Sequence, residues 1–244
     1  GDVRGLGLLA GLELVKDRET QEKFKDDGEE LKTFGDGLAQ RGLLTRVAST
    51  LPLSPPLCIT AGQVDRMIAE TDRLARSFAE RDLPIAAFLD SHVPGKPEPP
   101  YPPHCEIGTG QENLVPALEW LHGCRQATLI RKDCINGFVG SIDIESGRNR
   151  IVDWVNGNTV ETVLAVGVCT DICVMDFVLT MLSARNHGLM PTLADIVVHE
   201  PGCATYDLPR EVALSIDLPE TAAHPQALTH HLGLYFMASR GAVR

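Results

Sequence analysis

From residue 61 onward the chain alternates between helix-like and strand-like segments, and three of its apolar runs stop at clusters of reactive side chains. Over 61–81, Val64, Met67, Ile68, Thr71, Leu74, Ala75 and Phe78 recur at three- and four-residue spacings. That is one apolar stripe of a helix, with Thr60 placed to cap it. Pro84 leads into a short continuous apolar run at 85–89, which reads as a buried strand. A helix is expected over 114–122, a short strand over 127–130, and the most strand-like run of the chain over 160–168. An apolar helix follows over 174–186 with Gly188 placed to end it, then another strand over 191–198. Such alternation implies parallel βαβ units whose crossover helices cover both faces of the sheet. The expected fold class is α/β, a mostly parallel sheet with helices on both faces.

In open sheets of this kind the ligand site lies at the carboxyl ends of the strands. Asp90 and His92 follow the 85–89 strand, Lys132 follows the 127–130 strand, and Cys169 to Cys173 follow the 160–168 strand. Cys173 falls in the first turn of a helix, where unpaired N–H groups and the helix dipole favour a thiolate and can hold an oxyanion. The plainer alternative is a buried cysteine packing a strand–helix junction. Lys132 is placed to lower a nearby thiol's pKa and to hold a carboxylate, or else is a solvated surface charge. Asp90, His92 and His104 are plausible ligands of a first-row metal, with the Pro-rich segment 94–103 stiffening the loop that returns His104. Read blandly, the same loop is polar with incidental histidines. Tyr101 can stack on a flat ring or simply pack the loop. His224, His230 and His231 are expected on a C-terminal helix as packing or capping residues.

Composition narrows the function classes. A formal net charge of −11 over 244 residues argues against nucleic-acid binding, which needs clustered Lys and Arg. No stretch approaches the ~20 apolar residues of a membrane span, and the start shows neither a signal-peptide core nor an initiator Met. The chain is therefore expected to be cytoplasmic, off the membrane, and part of a longer polypeptide. Seven scattered cysteines without a Cys-x-x-Cys pair read as reduced thiols.

Taken in order, several segments resemble the isochorismatase-like cysteine hydrolases, nearest to the plant-type nicotinamidases. They are Phe88-Leu89-Asp90-Ser91-His92, Tyr101-Pro102-Pro103-His104-Cys105, Arg131-Lys132-Asp133-Cys134-Ile135-Asn136-Gly137-Phe138 and Val168-Cys169-Thr170-Asp171-Ile172-Cys173. Ser183-Ala184-Arg185-Asn186-His187-Gly188 and Gly202-Cys203-Ala204-Thr205 extend the series, and the resemblance spans about 63–244. It implies Cys173 as nucleophile, Lys132 as triad lysine, and Cys169 and Cys173 as donors of the oxyanion hole. It also implies Asp90, His92 and His104 as ligands of a divalent metal, zinc or similar, and Tyr101 against a nicotinamide ring. The Val168–Cys169 peptide falls where the family often has a cis bond. Some relatives have a further metal-binding His between His92 and His104. None is present here, so a more open metal sphere is expected.

One departure stands out. The family's first strand, central in its sheet, ends in a catalytic Asp that serves as base towards the cysteine, and no such strand precedes residue 61. Residues 7–15 are apolar enough to stand in for it, with Asp17 next in line. Instead, Gly1-Asp2-Val3-Arg4-Gly5-Leu6-Gly7-Leu8-Leu9-Ala10-Gly11 and Leu53-Ser54-Pro55-Pro56-Leu57 resemble the C-terminal end of class III aminotransferases. Their cofactor lysine belongs to a domain outside this sequence, so no pyridoxal phosphate is expected. The domain reading is thus 1–60, an α+β aminotransferase-like appendage, and 61–244, a hydrolase domain lacking its first strand. The function implied is amide hydrolysis of nicotinamide. The alternatives are an inactive binding or interaction protein from a chimeric or truncated gene, or a hydrolase of isochorismate or another small amide. Homo-oligomerisation stays open.

Overall fold

A computed structural model of the chain describes residues 3–6, 9–13, 15–17, 19–20, 22–25, 28–39, 50–53, 61–96, 98–99, 101, 103–215 and 218–244. The expected cap at Thr60 lies outside them. The chain divides into two compact units, Gly1–Ile59 with Tyr206–Pro225 and Thr60–Thr205 with Gln226–Arg244.

In the first unit, β1 (Val3–Leu6), β2 (Leu9–Glu13) and β3 (Thr50–Leu53) form an antiparallel sheet in the order β1-β2-β3, with helix α1 (Glu29–Ala39) between β2 and β3 in sequence. Leu9–Glu13 is thereby hydrogen-bonded on both edges, to β1 and to β3, and does not stand in for a central strand of the hydrolase sheet. Asp17 is committed locally: its carboxylate accepts from the N–H groups of Glu19 and Thr20. In the 206–225 segment the Tyr206 and His224 rings stack at 3.9 Å, and His224 Nδ1 lies 2.8 Å from the Tyr206 carbonyl. His224 is a packing residue there.

The second unit carries the alternating pattern. Helix α2 (Ala61–Glu80) is followed by strand β4 (Ile85–Asp90), a 3₁₀ segment (Pro116–Gly123), β5 (Ala127–Lys132) and helix α3 (Arg150–Gly157). Then come β6 (Thr162–Val168), a π-helical turn (Thr170–Val174), α4 (Met175–Asn186), β7 (Asp195–Ala204) and, after the short helix α5 (Arg210–Ser215) of the other unit, α6 (Gln226–Ser239). The helix expected over 114–122 forms as the tighter 3₁₀ type, with Pro116 fixing its first turn. Helix α3 was not anticipated. Asn149 caps it by accepting from the Ile151 and Val152 N–H groups, while Ile151 and Val155, one turn apart, are buried. Gly188 takes a φ of +88° after α4, as its expected role as terminator requires.

The sheet is split. β4 pairs with β5 and β6 with β7, each pair parallel, and no strand among the described residues joins the pairs. This is the arrangement expected where a central strand is missing. One apolar core nevertheless unites them: Ile130 of β5, Ala165 of β6, Ile196 and Val198 of β7, Val178 and Met181 of α4 and Met237 of α6 belong to a single cluster. β4 and β6 stay largely half-buried, although parallel strands are normally covered on both faces.

A polar clasp ties α2 to β7. Glu70 accepts from Arg73 at 2.6 and 2.7 Å and meets His199 Nε2 at 2.7 Å. The bonds from Arg73 and then His199 hold the Glu70 carboxyl at about 2, below its ordinary 4.5. A depressed carboxyl pKa stabilises the fold at every pH above the unfolded value, and this contribution fades as pH falls from about 4.5 towards 2. In Glu70→Gln, the fall of melting temperature across that window is expected to be shallower than in the unsubstituted chain. Superimposable acid profiles would show that the clasp is not linked to folding.

Candidate active site

Strand register builds the centre of the site. Asp90 and Lys132 are the last registered partners of the β4–β5 ladder, so their side chains emerge side by side. Lys132 is only 6% exposed; its ammonium donates to Asp90 Oδ1 and to the Cys134 carbonyl at 2.9 Å, and stands 3.9 Å from Cys173 Sγ. Burial works to lower the Lys132 pKa, but Cys173, Asp90 and Cys134 together push it up, so the side chain stays a cation.

The loop after Lys132 is shaped by residues that sequence inspection did not single out individually. Asn136 Oδ1 accepts from the Phe138 and Val139 N–H groups, while its amide donates to Thr180 Oγ1 of α4 at 2.8 Å. Gly140 lies so close to Lys132 that a Cβ there would come within 2.6 Å of the Lys132 Cβ. Both fall just after the predicted lysine, and the turn-forming Asn136-Gly137 pair is the signal for the first of them.

Cys173 sits in the π-helical turn that follows β6, and the Val168–Cys169 peptide is cis. Activation of the thiol was expected from its place at a helix start. The resting structure shows the opposite balance. Burial pushes the Cys173 thiol up to about 11, with the Asp90 charge adding to the rise, against the lowering effect of Lys132 and of a backbone hydrogen bond from Cys169. Desolvation of the partly buried sulfur outweighs the Lys132 charge and that hydrogen bond.

The third group is a pocket lined by His92, Lys96, Glu98, Pro103, His104 and Glu106. His92 exchanges backbone hydrogen bonds with the returning chain: its N–H donates to the Cys105 carbonyl, and its carbonyl accepts from Ile107. That bridge folds the Pro-rich loop back and brings the His104 ring within 4.5 Å of the His92 ring. The ligand atoms of Asp90, His92 and His104 all lie within 4.8 Å of one another. Tyr101 meets the edge of the His104 ring at 6.3 Å. His92 Nε2 is buried without a hydrogen-bond partner, and Glu98 Oε2 stands 3.6 Å from it and 3.7 Å from His104 Nε2. An orphaned imidazole nitrogen, a second imidazole and two carboxylates form a donor set that suits zinc or a similar divalent ion, with bonds of ~2.0–2.2 Å. Where some relatives have a further metal-binding His between His92 and His104, the structure offers Glu98. An acidic residue six positions after His92 was the signal passed over.

Strand register and loop return thus bring six of the seven anticipated residues into two linked groups. Lys132, Cys173, Cys169 and Asp90 form one, and Asp90, His92 and His104 the other. Tyr101, the seventh, borders the second group. The six described cysteines are free thiols, and among the described residues no helix is long and apolar enough to cross a membrane.

Residues 58–221 match the family model described as the isochorismatase domain. Nicotinamidase 1 of Arabidopsis thaliana is 54% identical over 180 residues, covering 74% of this chain and 72% of that enzyme. A crystal structure of a nicotinamidase from Bacillus subtilis aligns with a TM-score of 0.53 at 21% identity, over 75% of this chain and 85% of that one, which speaks to the fold. A putrescine–pyruvate aminotransferase of Pseudomonas aeruginosa is 40% identical over 72 residues, 28% of this chain and 15% of that enzyme. The α/β architecture, the domain match and the relative at 54% identity over the aligned residues converge: this chain belongs to the isochorismatase family, as a nicotinamidase-like amidohydrolase.

Proposed function

We propose that the chain hydrolyses nicotinamide to nicotinate and ammonia at Cys173, slowly for its family. The observation that carries the reading is the buried Lys132 ammonium held between Asp90 and the Cys173 sulfur, beside the Asp90–His92–His104 group. Cys173 Sγ attacks the carboxamide carbon while the Cys169 and Cys173 N–H groups receive the developing oxyanion. The carbon–nitrogen bond breaks, the thiol proton leaves with the nitrogen as ammonia, and a nicotinoyl thioester remains. Water then cleaves the thioester, restoring the thiol. Lys132 keeps the sulfur near a positive charge throughout, and Tyr101 flanks the pyridine ring. Asp90, His92, His104 and Glu98 would hold the divalent ion, which when bound supplies a Lewis-acid site for the ring nitrogen and water. Loss of a dedicated base typically slows such chemistry by ~10²–10⁴-fold, and Asp90 is the carboxylate this site sets beside Lys132 and Cys173. In the same reading, residues 61–244 are the hydrolase domain and 1–60 a segment of aminotransferase origin.

Metal and substrate test this directly. Added zinc at ~100 times its dissociation constant is expected to stabilise the fold by about 2.7 kcal/mol. Nicotinamide should raise the melting temperature further. His92→Ala should abolish the zinc response, and Glu98→Gln should weaken zinc binding at least ~10-fold. Zinc titrations indistinguishable between the unsubstituted chain and His92→Ala would remove the metal site from the account.

A further inference from the structure

The turn that bears Cys169 and Cys173 is gripped from outside by groups that the hydrolytic reading leaves unused. Thr170, the residue after Cys169, is fully buried, and its Oγ1 lies 2.9 Å from His230 Nδ1 on α6. The other ring nitrogen of His230 lies 3.8 Å from Glu200 Oε1, and the second Glu200 oxygen is bound by Arg244. In the tautomer that carries its proton on Nε2, towards Glu200, Nδ1 accepts the Thr170 hydroxyl proton. One residue further along the turn, Asp171 Oδ1 accepts from Thr205 at 2.6 Å, and Thr205 follows directly on Ala204, the partner of Val168 in the β6–β7 ladder. Gly233, one turn beyond His230 on α6, passes so close that a Cβ would stand 2.8 Å from Asp171 Cα and 3.1 Å from Asp171 N. Three contacts therefore fix the start of the Thr170–Val174 turn, whose Cys173 N–H and that of Cys169 just before it must be aimed at one oxygen atom.

We propose that α6 positions the oxyanion hole, and that His230, acting through Thr170, is the residue that sets the orientation of the Cys169 N–H. The inference rests on the amidohydrolase reading, in which that N–H receives the oxyanion. His230 is a positioning residue: it touches Thr170, and the donor it aims belongs to the neighbouring peptide. Hydrogen-bond donors lose much of their effect when displaced by a fraction of an ångström, and misplacements near 1 Å cost about 10²-fold. Alkylation forms no oxyanion, so it feels the same displacement only through the hydrogen bond from Cys169 to the sulfur, the smallest of the influences on that thiol.

Two reagents separate these cases. Pyridine-3-carbaldehyde, the aldehyde analogue of nicotinamide, forms a sulfur–carbon bond to Cys173 while its carbonyl π bond breaks and the thiol proton passes to the new hydroxyl oxygen. That oxygen is the atom the turn's N–H groups hold. Iodoacetamide alkylates Cys173 by displacing iodide, and no oxyanion forms. In His230→Ala, aldehyde affinity is expected to fall about tenfold, with the Cys173 alkylation rate, followed peptide by peptide, within about twofold. His230→Asn, whose side-chain oxygen can accept the Thr170 hydroxyl, should recover most of the affinity. Gly233→Ala, which shifts the Asp171 backbone, should reproduce the His230→Ala loss. Equal aldehyde affinity in His230→Ala and the unsubstituted chain overturns the inference. So does a parallel fall in alkylation, which would mark a general loss of site structure. An unsubstituted chain that alkylates at Cys173 but forms no aldehyde adduct overturns the hydrolase reading, and this inference falls with it.

Discussion

Replacing Lys132 with methionine is expected to lower kcat/KM for nicotinamide by about 10²–10⁴-fold, the steepest loss for any residue other than the nucleophile. Methionine keeps most of the apolar stem and removes the charge together with the N–H donors to Asp90 and the Cys134 carbonyl. Without that charge, Cys173 faces Asp90 alone. Burial and the Asp90 carboxylate already push the thiol up to about 11, and Lys132 is the chief influence in the other direction. The sign is therefore fixed: the thiol pKa rises further in the variant, and the thiolate fraction at neutral pH falls. Stability should drop as well. Breaking a buried ion pair costs roughly 3–5 kcal/mol, which is an upper bound here because the Asp90 side chain keeps 28% of its surface exposed and water can replace part of the lost interaction. Kinetics and thermal melting of the variant check both halves. Unchanged kcat/KM would mean that Lys132 serves the fold alone.

Cys173→Ala is expected to abolish ammonia release altogether, with a change in stability of no more than about 1 kcal/mol, since alanine removes one partly buried sulfur from the turn. The contrast is the useful part: a total loss of turnover without a loss of folding locates the chemistry at one atom. Adding Lys132→Met to Cys173→Ala should slow nothing further, because groups that act as one unit are not additive. Residual turnover in Cys173→Ala would place the nucleophile elsewhere.

How far the site could be read from sequence depends on what each residue relies on. Asp90, Lys132 and Cys173 were legible because they sit at the ends of apolar runs, and a parallel sheet delivers strand ends to one place. The Asp90–Lys132 pairing needed the register itself, which brings those two residues level at the ends of β4 and β5. Glu98 was passed over because its place beside His92 and His104 is made by a folded-back loop, and nothing periodic announces it. The balance at Cys173 was misjudged for another reason. Helix-end electrostatics can be read from position, whereas desolvation depends on what encloses the sulfur. Helix α3 escaped notice because eight residues give too short a pattern, and its cap, Asn149, reads equally well as a turn residue. The lack of the family's first strand was legible in the sequence, and among the described residues the parallel strands form two separate pairs.

If Cys173 works with Asp90 and Lys132 as its charged partners, this family member turns nicotinamide over. The most direct measurement is the release of ammonia from nicotinamide by the zinc-loaded chain, with nicotinate quantified in the same samples. Slow, equimolar release of both products, continuing over many turnovers per chain, is expected. A cooperatively folded, zinc-binding protein that releases neither would contradict it, and would leave a nicotinamidase fold that binds without hydrolysing.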